Sequence, residues 1–234
     1  MITIARRYRG PSMSGNGGYV AGIVANAIDG CAEVTLKAPP PLDTAMAIKR
    51  FDDGVSLVSG DVEYAIGKKS DLDLDPPKPP CADEIAAAAA RYEDHGPSDF
   101  SGCFVCGRDR EPGDGLRIYA GALNSDGRSV AAPWKVPETL DLIDGRVAPE
   151  YVWAAMDCPG AYTLWNHNDD VSPNTLLGRM TAEICQAPKP GDACAIMGWY
   201  LESDGRKHYA GTAAFGPDGA LLGLAKQVWI ELKA

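Results

Sequence analysis

One acid lies where an acid is least expected. Asp157 stands in Trp153-Ala154-Ala155-Met156-Asp157-Cys158, an otherwise apolar helical turn. Burial there would disfavour the charged form and raise its pKa, suiting the carboxylate to activate water or to attack a carbonyl directly. The same residue could instead be an exposed helix-end Asp, since Pro159-Gly160 follows at once and reads as a break. A possible electrophilic partner is Gly17-Gly18, at the start of another helical segment. Free N–H groups at a helix N-terminus can polarise a carbonyl, and glycine permits close approach, although an ordinary Gly-rich turn reads the same way.

Other reactive residue types give weaker patterns. Cys103 and Cys106 form the only Cys-x-x-Cys, and the remaining cysteines (Cys31, Cys81, Cys158, Cys185, Cys194) are scattered. A structural zinc site normally takes four ligands, and His95, His167 and His208 show no ligand spacing, so the sequence disfavours zinc and implies no metal or redox cofactor. His167 reads as a polar loop residue in Trp165–Asn174. No nucleophile elbow, Walker or Rossmann glycine pattern is present, which disfavours a serine hydrolase or nucleotide enzyme.

Those residues need elements to hold them, and the chain supplies two similar sets. Ala38-Pro39-Pro40-Pro41-Leu42-Asp43 is echoed by Ala187-Pro188-Lys189-Pro190-Gly191-Asp192, each followed by an alternating apolar run. Upstream lie two helix-like segments, one opening on Gly18-Tyr19-Val20 and the other on Glu150-Tyr151-Val152. A helix followed by strands, written twice, predicts a duplicated α+β unit. Helices are expected from Tyr19 to about Ala27, from Asp83 to about Tyr92 (closed by His95-Gly96-Pro97), and from Pro149. Strands are expected at Ala32–Lys37, Ala45–Phe51, Val55–Val58, Asp61–Ile66, Leu116–Ala120, Val130–Trp134, Met180–Gln186, Ala193–Glu202, Lys207–Phe215 and Ala220–Leu232. The expected organisation is a first unit over residues 1–69, a second over 101–234, and a connector over 70–100. Alternating Asp71, Asp73 and Asp75 and four prolines mark the start of that connector as stiff and exposed.

The chain has 234 residues and a net charge of -10, which argues against nucleic acid and against docking on an anionic membrane. An anionic ligand would need a local basic patch, for which Arg6, Arg7, Arg9, Lys68-Lys69 and Arg206-Lys207 are the candidates. The first residues lack the apolar core of a signal peptide, no stretch is long enough to span a bilayer, and seven cysteines show no disulfide spacing. A reduced, cytoplasmic protein is the expectation.

A duplicated helix wrapped by antiparallel sheet resembles the double-hotdog architecture of the hotdog-fold thioesterases. Cys103-Phe104-Val105-Cys106-Gly107 with Gly115-Leu116-Arg117-Ile118 is similar to a lead-in of many hotdog proteins, and Asn16-Gly17-Gly18-Tyr19 to the phrase opening the central hotdog helix. The resemblance implies hydrolysis of an acyl-CoA or related thioester, with Asp157 as the catalytic carboxylate. It implies Gln227 as the amide that holds the water, and Thr181 as the nearest substitute for a Thr or Ser that has no clean match. One composite site between the two units follows, because Ala25 aligns with Asp157 and Pro149-Glu150 with the two glycines. The acyl chain is expected between the helices, among Val20, Ile23, Val24, Trp153 and Met156, with Asn16 to Tyr19 at its head. A non-catalytic acyl-ligand binding protein is the alternative, and a hydratase is disfavoured because the Asp-His phrase of that group is absent. Homodimerisation is optional.

Overall fold

A computed structural model describes residues 1–95, 98–123 and 127–233. Gly96 and Pro97, expected to close the second helix, lie outside the described residues. The elements are β1 (Ile2–Thr3), α1 (Gly17–Ala25), β2 (Ala32–Leu36), β3 (Ala45–Phe51), β4 (Gly54–Ser59), β5 (Val62–Lys69) and α2 (Ala82–Ala90). They continue with β6 (Gly121–Ala122), β7 (Ser129–Lys135), the small hairpin β8 (Leu142–Ile143) and β9 (Arg146–Val147), and α3 (Pro149–His167). The last four are β10 (Thr175–Ile184), β11 (Ala193–Asp204), β12 (Lys207–Phe215) and β13 (Leu221–Glu231).

Eleven of these strands form one long curved antiparallel sheet in the order β1-β3-β4-β5-β2-β10-β13-β12-β11-β7-β6, so the class is α+β. The order is the same outward from the β2–β10 seam on both sides: β2, β5, β4, β3 one way and β10, β13, β12, β11 the other. At the seam Val34 opposes Met180 and Glu33 opposes Thr181. Both terminal strands, β1 and β6, are only two residues long.

The inner face of the sheet wraps α1 and α3. An amphipathic period is missing from α3, whose residues from Tyr151 to Leu164 are all buried, as expected of a helix surrounded by protein. The two helices cross antiparallel, with Gly18 against Asp157, Trp153 and Ala154, and Gly22 against Glu150. A Cβ at Gly18 would lie 2.6 Å from the Asp157 Cβ and 2.7 Å from the Trp153 carbonyl oxygen, so this crossing requires glycine.

Three expectations are corrected. The Pro159-Gly160 pair does not end α3, which runs through it to His167. Proline removes only one intrahelical bond, and packing of the whole helix under the sheet outweighs that loss. Residues 116–120 are not a strand of the sheet: Leu116 and Ile118 donate instead to the carbonyls of Phe104 and Val105, doubling the chain back on the cysteine turn. The stretch after residue 70 is not a free connector. Leu72 and Leu74 are half-buried and, with Ile85 of α2, pack against Ala195, Met197, Ala213, Phe215 and Leu224 on the outer face of the sheet, while the intervening aspartates face solvent.

Candidate functional site

The first turn of α1 meets the middle of α3 at a carboxylate. Asn16 caps α1: its Oδ1 accepts the Tyr19 N–H at 2.9 Å. Its Nδ2 donates to Asp157 Oδ2 at 2.7 Å, and the Gly18 N–H donates to the same oxygen at 2.9 Å. Asp157 is 3% exposed, and its other oxygen, Oδ1, is buried with no hydrogen-bond partner among the described residues. Burial pushes its pKa from the ordinary 3.8 up to about 7; the Gly18 N–H pulls back against that, the Cys103 thiol adds to it, and the Asn16 amide pulls back as well.

A cavity of about 270 Å³ opens beside this contact. Asn16, Gly17, Asp157, Cys103, Cys106 and Cys158 form its polar end, and Phe100, Trp165, Leu177, Trp229 and Ile230 belong to its apolar wall. The Gly17 N–H, at the first position of α1, has no hydrogen-bond partner among the described residues, whereas that of Gly18 is taken by Asp157. Lys37 and Arg108 are the basic residues in the lining, and neither belongs to the basic clusters singled out in the sequence. The Arg108 guanidinium lies 5.3 Å from the centre of the Tyr92 ring.

Gln227 is fully buried under α3, but it reaches the helix backbone rather than the carboxylate. Its Nε2 donates to the carbonyls of Met156 at 2.7 Å and Asp157 at 3.3 Å, and its Oε1 accepts the Trp229 indole N–H at 2.8 Å. Gly160 makes room for that amide, since a Cβ there would overlap Oε1. Gln227 therefore holds the turn of α3 that carries Asp157.

Thr181 is not brought to this place. Strand alternation turns Met180 inward to Gln227 and Thr181 outward, where its hydroxyl is 3.4 Å from Glu33 in a group with Lys68 and Arg179. The apolar residues of the two helices are likewise core rather than cavity wall. Val20, Val24 and Met156 have no exposure, Trp153 is buried against α1, Ile23 packs at the core margin, and Tyr19 stacks on Tyr8 with ring centres 4.2 Å apart. The helices touch too closely at Gly18 and Gly22 to admit a chain between them. The cavity lies past the N-terminus of α1 instead.

Sequence reasoning missed Cys158 as a neighbour of Cys103, their sulfurs 3.8 Å apart, and the aromatic and Pro-rich cavity wall. The adjacency of Cys158 to Asp157 was the available signal for the first. Nothing in the sequence pattern marks the second.

No known protein family matches this sequence, and no curated protein does. Solved structures do. A candidate thioesterase from Novosphingobium aromaticivorans superposes with a TM-score of 0.63 at 10% identity, covering 99% of this chain and 94% of that one. The tesB protein of Mycobacterium avium subsp. paratuberculosis gives 0.59 at 11%, covering 94% and 88%. A hot-dog-fold protein of unknown function from Alicyclobacillus acidocaldarius gives 0.60 at 10%, covering 97% and 90%. Identities this low speak to architecture alone, and with the strand order and wrapped helices they establish that the fold of this chain is the double hotdog.

Proposed function

We propose that the protein hydrolyses acyl thioesters, with the acyl group in the cavity at the junction of the two helices. The observation that carries this reading is the buried Asp157, fixed by the Gly18 N–H and Asn16 on the wall of a cavity that Gly17 also lines. In the reaction, the Gly17 N–H receives the thioester carbonyl oxygen. Asp157 takes a proton from water as the water oxygen attacks the carbonyl carbon. The C–S bond then breaks, and the departing thiolate takes that proton from Asp157, leaving as free thiol and restoring the carboxylate. Gln227 is a positioning residue, acting through the backbone carbonyls of Met156 and Asp157. A pKa near 7 suits a general base working at neutral pH.

Cavity size bears on the substrate. About 270 Å³ is at the small end of ligand pockets, which run from about 300 to 1,000 Å³. It suits a short or aromatic acyl group, with a coenzyme A moiety lying outside it near Lys37 and Arg108. Two helices, one from each half of the chain, supply the pieces, which supports a single composite site. The position of Thr181 on the outer face favours a second reading, an acyl-ligand binding protein without turnover. Thiol release from short, medium, long and aromatic acyl-CoA esters separates the two. Turnover of one ester class that falls at least about 100-fold in Asp157→Asn supports hydrolysis. No turnover above background with any ester overturns it in favour of binding.

A further inference from the structure

Three cysteines beside Asp157 take no part in the proposed hydrolysis. Cys103, Cys106 and Cys158 bring their sulfurs within 4.8 Å of one another at the polar end of the cavity. Cys103 and Cys158 are 55 positions apart, yet their sulfurs are 3.8 Å apart. Two thiolates bound to one zinc at about 2.3 Å and a tetrahedral angle would also lie about 3.8 Å apart. The Cys-x-x-Cys spacing is a common source of two ligands from one turn, and the fold adds the third from α3.

The turn that carries the first two sulfurs is tightly closed. The turn closes through a bond from the Gly107 N–H to the Cys103 carbonyl at 2.9 Å, and a Cβ at Gly107 would lie 2.4 Å from that oxygen. From this turn the Cys103 sulfur meets that of Cys158 on α3. The Asn16 Nδ2 lies 3.9 Å from the Cys103 sulfur. Donors of this kind around a thiolate orient and tune a metal ligand.

We propose that Cys103, Cys106 and Cys158 form a site for a soft divalent cation of the zinc class, with the fourth coordination place left to a water or ligand atom from the cavity. Three protein ligands with one open place is the arrangement of a reactive metal rather than a purely structural one. The site does not depend on thioester hydrolysis, since metal binding is measured without any substrate.

The test uses the full chain, reduced and metal-stripped, then loaded with Zn(II) or Co(II) and desalted. One equivalent of zinc per chain by elemental analysis is expected, with a thiolate-to-cobalt charge-transfer band whose intensity matches three sulfurs. Cys158→Ser is expected to weaken zinc at least 100-fold in competition with a chromophoric chelator, and Cys185→Ser, an exposed position, to leave it unchanged. If Cys158→Ser does not fold, thiol counting on the wild type replaces it, and zinc must shield three of seven thiols from alkylation. Less than a tenth of an equivalent of bound metal overturns the proposal. So does zinc that binds equally well without Cys158, or that shields no thiols.

Discussion

Replacing Gly18 by alanine tests the helix crossing on which the whole site rests. The new Cβ would sit 2.6 Å from the Asp157 Cβ, 2.7 Å from the Trp153 carbonyl oxygen and 3.2 Å from the Ala154 Cα. Two of these are backbone atoms of a helix packed under the sheet, so no side chain can swing away. Reaching ordinary contact means parting α1 and α3 by about 1 Å, and overpacking of that order costs about 1–3 kcal/mol. The same movement stretches the Gly18 N–H bond to Asp157, and a hydrogen bond to a charged group contributes about 1.5–3 kcal/mol. Alanine returns up to about 1 kcal/mol through helix propensity. The net expectation is a loss of about 2–4 kcal/mol in urea unfolding at pH 8. Gly17→Ala is the control: its Cβ would come nearest the tips of Leu177 and Leu36 at 3.1 Å and the Leu177 Cβ at 3.2 Å, with no backbone atom among them, and a change within about 1 kcal/mol is expected. If Gly18→Ala unfolds at the wild-type midpoint, or if Gly17→Ala costs as much, the close crossing is not what holds the carboxylate.

Further outcomes follow from the same geometry. Because the folded-state pKa of Asp157 is raised to about 7 from 3.8, the native state holds a proton that the unfolded state has released, so stability falls as pH rises between those values. Asp157→Asn removes that dependence, and its melting temperature relative to wild type should be higher at pH 8 than at pH 5; an unchanged difference would contradict the buried carboxylate. In metal-stripped protein, kcat for a hydrolysed ester should climb through an apparent pKa near 7, and a flat profile from pH 5 to 8 would remove Asp157 as the base. Gln227→Ala opens a cavity under α3 and strands the Trp229 N–H, so denaturant titration should show a loss of about 3 kcal/mol. Thr181→Ala should leave kcat/KM within about threefold of wild type, and a hundredfold drop would place the outer face of the sheet in the chemistry.

The repeated helix-and-strand grammar made the fold legible. Short β-prone runs such as Ala45–Phe51 and Lys207–Phe215, each bounded by Asp-Gly pairs, read as hairpin strands. Asp157 was conspicuous for a related reason, being a charge inside an apolar helix. Local pattern misled wherever tertiary packing overruled it. Pro159 reads as a stop, yet a helix buried all round loses little from one missing bond. Leu72 and Leu74 look like exposed connector because the sheet face they cover is remote in sequence. Cys158 is the strongest case. A ligand pattern in sequence needs close spacing, whereas the fold can deliver a third sulfur from a helix half a domain away. The cavity escaped for the same reason, since its wall is assembled from segments that share no periodicity.

The sheet ends in two-residue strands on both sides. A strand edge presents a row of unpaired backbone groups that another chain can copy, and the length of that row sets how well it can do so. Beyond them, residues 47–51 of β3 and 132–135 of β7 pair on one side only, so the flank open to an incoming strand is split between a short terminal strand and the stretch behind it. Extension of the sheet by another strand would have to run along those stretches of β3 and β7, so substitutions there, rather than in β1 or β6, are the ones expected to disturb it.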